Sequence, residues 1–202
     1  MSNYVITIAR GYGSGGKTIG KQLAAQLGIP CYESQIPEVA VNLRNGETAL
    51  LRGSKLTKAL NRIPARETAC DTFVSDDSLF EAQTSIIQEL AKKHSCIIVD
   101  MCANYLLRSR SNVLSVYVGA PESACVETVQ DLFGISKEEA SSTVEKIDQY
   151  RSAYYTYYTG GERWDDPMLY DLTLNTANMD YDDAARTIMN AAKVKFGDNL
   201  RA

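Results

Sequence analysis

Apolar positions along the chain alternate between short unbroken runs and stripes at helical spacing. Tyr4-Val5-Ile6-Thr7-Ile8-Ala9 is rich in β-branched residues and predicts a buried strand. A glycine-rich loop over 10–16 follows it. Over 18–27, Ile19, Leu23, Ala24 and Leu27 share one helical face, and Gly28 and Pro30 end that helix. A helix over 79–93 is predicted from Phe80, Ile86, Ile87, Leu90 and Ala91. Cys96-Ile97-Ile98-Val99 is a short apolar run closing on Asp100, with the length and composition of a buried parallel strand. A short helix over 104–108 and a strand over 113–118 come next. Pro121 suits the first turn of a helix reaching 133. Ser136 caps another, with Glu138 and Glu139 in its first turn and Gly160-Gly161 at its end. A strand over 170–174 and a helix over 181–194 complete the pattern. Strands separated by helices predict a parallel sheet covered on both faces.

The stretch over 31–77 is less regular. Helical patterns over 39–51 and 56–60 are punctuated by Asn45-Gly46, Gly53-Ser54 and Pro64. It carries Arg44, Arg52, Lys55, Lys58, Arg62 and Arg66. Two readings stand: a solvated pair of helices, or a lobe that grips an anionic substrate.

Composition narrows the classes. The 202 residues are 45% hydrophobic and 23% charged, ordinary for one folded domain. The net charge of −4 argues against general nucleic-acid binding, which rests on phosphate neutralisation. The 5 cysteines include no CxxC pair, and the 1 histidine cannot build a His/Cys zinc cluster. Reduced thiols in a cytoplasmic protein are the expectation. Neither a secretory signal nor a membrane span is expected, since no apolar stretch approaches about 18 residues.

The chemistry concentrates in Gly11-Tyr12-Gly13-Ser14-Gly15-Gly16-Lys17-Thr18, a full match to G-x-x-x-x-G-K-[ST] between a predicted strand and helix. Glycines let successive N–H groups curl inward toward phosphate oxygens, and the helix N-terminus adds unpaired donors. Lys17 would reach the β- and γ-phosphates, and the Thr18 hydroxyl would ligate Mg²⁺. Gly11, Gly13 and Gly16 also fit the dinucleotide fingerprint, with Glu33 near the ribose-binding spacing. Lys17-Thr18 directly after the last glycine favours the phosphate-transfer loop.

Asp100 at a strand end fits an acid that holds a metal's water shell, or equally a strand-end cap. Farther on, Asp148, Arg151 and Tyr155 share one helical face. With Tyr154, Tyr157 and Tyr158 they could line a phosphate or base pocket, or the tyrosines could pack inward. Arg163 and Trp164 follow as part of the same segment. His94, after Lys92-Lys93 at a helix end, reads as a cation complementing the dipole.

At this point the sequence resembles the cytidylate kinase-like family of P-loop nucleoside monophosphate kinases. The carrying residues are the 6–16 segment from Ile6 to Gly16, then Leu79-Phe80, Gln83, Leu90-Ala91, the 102–107 segment from Cys102 to Leu107, Asp148 to Tyr155, and Trp164 with Tyr170-Asp171-Leu172. The resemblance implies a three-layer α/β P-loop NTPase fold, a parallel sheet with helices on both faces and a helical lid. It implies a single kinase domain over 1–202, with 31–77 as acceptor-binding segment and 137–166 as lid. It implies Mg²⁺-dependent transfer of the ATP γ-phosphoryl group to a nucleoside monophosphate, CMP or dCMP. Lys17, Arg151 and Asp148 would be catalytic. Gly11, Gly13, Ser14, Gly15, Gly16, Lys17 and Thr18 would hold ATP, and Thr18 and Asp100 the metal. Nucleotides would be the partners, with neither nucleic acid nor membrane, and the oligomeric state is left open. Two positions depart from the pattern. Asp100-Met101 stands where the family tends to have Gly-Arg, and Glu122-Ser123-Ala124-Cys125-Val126-Glu127 lacks the family's arginine. Two rival functions follow: a small-molecule kinase with a non-nucleotide acceptor, and a nucleotide-binding regulatory protein without transferase activity.

Overall fold

The computed structural model describes residues 3–33, 73–100 and 102–200. Within them, β1 (Val5–Arg10), β2 (Cys31–Tyr32), β3 (Cys96–Val99), β4 (Val113–Gly119) and β5 (Leu172–Asn175) form one sheet in the order β2-β3-β1-β4-β5. Every pairing is parallel. The described helices are α1 (Gly16–Leu27), α2 (Asp77–Lys93), α3 (Ala103–Leu106), α4 (Glu122–Phe133), α5 (Lys137–Thr159) and α6 (Tyr181–Phe196).

The register explains the layering. Val5 pairs with Cys96 on one side and Val113 on the other, so neighbouring strands alternate in phase. Ile6, Ile8, Ile97, Val99, Leu114 and Val116 face one way and pack with Ile19 and Leu23 of α1 and Ile188 of α6. Val5, Cys96, Ile98 and Val113 face the other way, onto Ile86, Ile87 and Leu90 of α2 and Ala103 of α3. Apolar runs buried on both faces are what a parallel sheet demands. A third cluster joins α4 to α5 through Val129, Ala140 and Val144, and reaches Tyr12 of the glycine loop.

Local chemistry sets the boundaries. Asp76 and Asp180 accept backbone N–H groups at the starts of α2 and α6. Ser136 and Glu139 form a reciprocal capping box on α5. Pro121 precedes α4 as its cap rather than entering its first turn. The last strand begins at Leu172, later than the pattern indicates, because Pro167–Leu169 form a 3₁₀ turn before it. The segments 39–51 and 56–60, with the basic residues from Arg44 to Arg66, lie outside the described residues.

One expectation is corrected here. His94 is not a dipole-complementing cation: burial and nearby Lys93 push its pKa down, and its Nε2 lies 3.2 Å from the Tyr32 hydroxyl. Lys92 and Lys93 hold the last turn instead. Of the two readings of the α5 tyrosines, inward packing holds for Tyr154, Tyr155 and Tyr158, while Tyr157 is exposed. Tyr154 donates to Gln83 Oε1 at 2.6 Å, Asn104 donates to the Tyr155 hydroxyl at 2.9 Å, and the Asp76 N–H donates to that of Tyr158 at 2.9 Å. A buried phenol needs such a partner, so these rings anchor α5 to α2 and α3. Phe80 and Tyr158 stack with centroids 3.8 Å apart, and Phe73 lies edge-on to Tyr150 and Tyr154. Among the described residues no helix is long and apolar enough to cross a membrane.

Candidate active site

The glycine loop leaves the C-terminal end of β1 and opens α1, so its backbone is pinned to the sheet. The Gly11 N–H donates to the Val118 carbonyl at 3.0 Å. The Ser14 hydroxyl donates to the Gly11 carbonyl at 2.8 Å and lies 3.0 Å from that of Val118. The Thr176 hydroxyl donates to the Ser14 carbonyl at 2.8 Å, tying the loop to the segment after β5. Gly13 and Gly15 have φ of 82° and 81°, a region that favours glycine. A Cβ at Gly13 would stand 2.5 Å from the Cys125 carbonyl oxygen, and one at Gly15 would enter the Tyr181 ring. No side chain caps α1 at Gly15, so the first N–H groups of this helix keep their capacity for an anion.

A prediction follows for Gly15→Ala. The left-handed backbone alone costs about 1–3 kcal/mol for a non-glycine residue, and the Tyr181 clash adds to it. The variant is expected to melt lower, and a nucleotide phosphate offered to this loop to be held at least about tenfold more weakly. Calorimetric titration beside a thermal melt checks this, and wild-type values in both would contradict the loop geometry.

Lys17 sits on the first turn of α1, with its ammonium 3.1 Å from Glu33 Oε1. Glu33 is the residue after β2, and its side chain is 6% exposed. Lys21 approaches the same oxygen at 3.7 Å. Glu33, at the ribose-contact spacing of the dinucleotide fingerprint, therefore engages the phosphate-loop lysine instead. Thr18 is exposed on that turn.

A second group of charges lies where β1, β3 and α5 meet. Asp148 Oδ1 accepts the Tyr12 N–H at 2.9 Å and pairs with Arg151 Nη1 at 3.3 Å. Arg151 also donates from Nη1 to the Arg10 carbonyl at 3.2 Å and places Nη2 3.6 Å from Asp100 Oδ2. Arg10 Nε reaches the same Asp100 oxygen at 3.3 Å. Burial pushes the Asp148 carboxyl upward, while Arg151 and the Tyr12 N–H pull it down. α5 thus grips the start of the glycine loop through one carboxylate and one guanidinium. Of the residues expected to act together, Asp100, Asp148 and Arg151 are joined in one ion network, and Tyr155 turns away to Asn104. Arg163 pairs with Asp165, and Trp164 lies edge-on to Tyr117. Arg10 is a functional candidate that spacing alone does not reveal, and the spacing that singles out Glu33 does not reveal its place beside Lys17.

Magnesium needs hard oxygen ligands and keeps several waters, so one or two protein oxygens suffice beside phosphate oxygens. The exposed Thr18 hydroxyl fits that demand. Asp100 fits it through Oδ1, since both guanidiniums approach Oδ2. Among the described residues no group of three or more His, Cys, Asp or Glu side chains could hold a metal by itself.

Comparison with known proteins agrees with this architecture. The model of the cytidylate kinase-like family matches residues 5–178. An uncharacterized protein from Eubacterium ventriosum ATCC 27560 superposes with a TM-score of 0.73 at 23% identity, over 95% of this chain and 99% of that one. Shikimate kinase from Bacteroides thetaiotaomicron gives a TM-score of 0.52 at 11% identity, covering 94% and 98%. A gluconokinase from Sinorhizobium meliloti 1021 gives 0.53 at 15%, covering 98% and 95%. None of the curated proteins compared matches the chain. A complete phosphate loop on a five-strand parallel sheet, with a family match over most of the length, places the chain in the cytidylate kinase-like family, with the P-loop kinase fold.

Proposed function

We propose that the protein transfers the γ-phosphoryl group of ATP to a nucleoside monophosphate, with CMP or dCMP as acceptor. The observation that carries this reading is the intact loop from Gly11 to Thr18, with its lysine, bound to the Asp148–Arg151 pair of α5. Phosphoryl transfer asks little covalent chemistry of a protein; it asks for charge neutralisation and in-line placement. Gly11, Gly13, Ser14, Gly15 and Gly16 would present N–H groups to the ATP phosphates. Lys17 would exchange Glu33 for the β- and γ-phosphates. Thr18 would hold Mg²⁺, and Asp100 one of its waters. Bound there, the metal supplies charge neutralisation of the phosphates. Arg151 would meet the transferring group, and Asp148 would aim it. The chain acts as one kinase domain over 1–202, in which 31–77 receives the acceptor and 137–166 serves as the lid. With an acceptor bound, these segments would exclude water and limit wasteful hydrolysis.

One observation favours a second reading. α4 carries no Lys or Arg, leaving its face without a cation for an acceptor phosphate. The shikimate kinase and gluconokinase that share the fold act, by name, on acceptors that are not nucleotides. Turnover of ATP with CMP, dCMP, UMP and AMP separates the two. The proposal expects CMP or dCMP to be used at least about tenfold better than AMP. Activity with none of the four would defeat the nucleotide acceptor.

A further inference from the structure

Asp100 is a non-glycine residue with φ of 64°, at the point where β3 ends. Such a backbone is costly for an L side chain and persists where its surroundings hold it. The Asp100 N–H donates to the Ile8 carbonyl at 2.8 Å, and its carboxylate lies between two guanidiniums. Arg10 Nε and Arg151 Nη2 approach one oxygen, at 3.3 and 3.6 Å. A well-made arginine–carboxylate pair is bidentate and closer to 2.8 Å. The contact is therefore a loose one between strongly charged groups that are largely buried, with side-chain exposures of 10% for Arg10 and 15% for Arg151.

The location matters as much as the geometry. Arg10 is the last residue of β1, and its side chain lies against Gly16, the first residue of α1. Arg151 is braced by the Arg10 carbonyl and by Asp148, which also holds the Tyr12 N–H. Both guanidiniums thus border the phosphate loop, on rigid elements, converging on one acceptor. Two planar forks that converge suit a tetrahedral oxyanion, which offers more oxygens and more charge than a carboxylate.

We infer that Arg10 and Arg151 form an oxyanion cradle beside the phosphate loop, with the Asp100 carboxylate as its internal occupant, and that the cradle takes the phosphate of a phosphorylated acceptor. It rests on the phosphotransferase reading above for the identity of that anion. Arg10 supplies the cation that α4 lacks. Asp100 keeps the two guanidiniums converged until the substrate's phosphate replaces its carboxylate, so it sets acceptor affinity by competition.

The test titrates inorganic phosphate into protein saturated with a non-hydrolysable ATP analogue and Mg²⁺, so that the glycine loop is filled. Wild type is compared with Arg10→Gln, Asp100→Asn and Asp100→Gly. The glycine variant also suits the positive φ. Arg10→Gln is expected to bind phosphate about tenfold more weakly, the size of one lost charge-assisted hydrogen bond. Both Asp100 variants are expected to bind it about tenfold more tightly, a gain that loosened folding cannot produce. Affinity for the analogue should stay within about twofold in Arg10→Gln. Equal phosphate affinity in all four proteins, or Asp100 variants that weaken it as Arg10→Gln does, would overturn the cradle. Failure of the wild-type protein to take up the analogue would instead defeat the ATP-dependent reading. The same ranking, measured without nucleotide, then still decides the cradle.

Discussion

Lys17→Ala is expected to lower turnover about a hundredfold, the usual cost of removing one preorganised donor to transition-state charge. The lysine would contact the two phosphates between which the bond breaks. Its charge therefore counts most as negative charge spreads over the transferring group. The structure adds a complication that a motif cannot show. Among the described residues Lys17 approaches the buried Glu33 at 3.1 Å, and Lys21 lies 3.7 Å from the same oxygen. Removing one partner of a buried pair costs about 3–5 kcal/mol, and Lys21 should hold the loss at or below the lower end of that range. Lys17→Ala is thus expected to melt lower as well. The double variant Lys17→Ala, Glu33→Gln removes both charges and should recover stability without recovering turnover. If the double variant recovers both, Lys17 serves the fold and not the reaction.

The second large effect belongs to Arg151. Arg151→Ala should lower the turnover number about a hundredfold, as expected for a cation that meets the transferring phosphoryl group. An exposed structural arginine would be worth only about 0–1 kcal/mol and no rate. Arg151 is not exposed in that sense: its side chain is 15% accessible, and it serves Asp148, Asp100 and the Arg10 carbonyl together. Its loss would leave those acceptors short, at a cost of about 1–3 kcal/mol. Melting temperature is therefore expected to fall in Arg151→Ala, and that variant alone cannot assign a role. Arg151→Lys keeps the charge near Asp148 but cannot serve three acceptors with a planar fork. It should regain most of the stability and little of the turnover, with ATP affinity nearly unchanged. Steady-state kinetics beside thermal melts read both quantities. Stability and activity rising together in the lysine variant would make α5 a scaffold.

The strands and helices that carry the loop are legible in the chain because their signals are local. Ile6 and Ile8, or Ile97 and Val99, are close in sequence and face the same core. Ser136 and Glu139 announce a helix start by their spacing. The phosphate loop is legible for the same reason, since all its donors come from one turn of backbone. What escapes is whatever three distant segments make together. Residues 10, 100 and 151 meet on one carboxylate oxygen, and no periodicity links them. Glu33 follows a strand of only 2 residues, too short to show a pattern, so its place beside Lys17 is visible only in space. The tyrosines of α5 show the reverse problem. Their spacing is plain, but the partners that take their hydroxyls, Gln83 and Asn104, sit on other helices. His94 likewise looks cationic beside two lysines until burial and Tyr32 are seen around it.

On the proposed function, the loop, α5 and the bound acceptor pass a phosphoryl group from ATP to a monophosphate. The most direct measurement follows the fate of a labelled γ-phosphate when the purified protein is mixed with ATP, Mg²⁺ and CMP. The account predicts that the label appears in CDP, one per ADP formed, with little released as inorganic phosphate. Label that remains in ATP, or that leaves only as inorganic phosphate whether or not CMP is present, would contradict it.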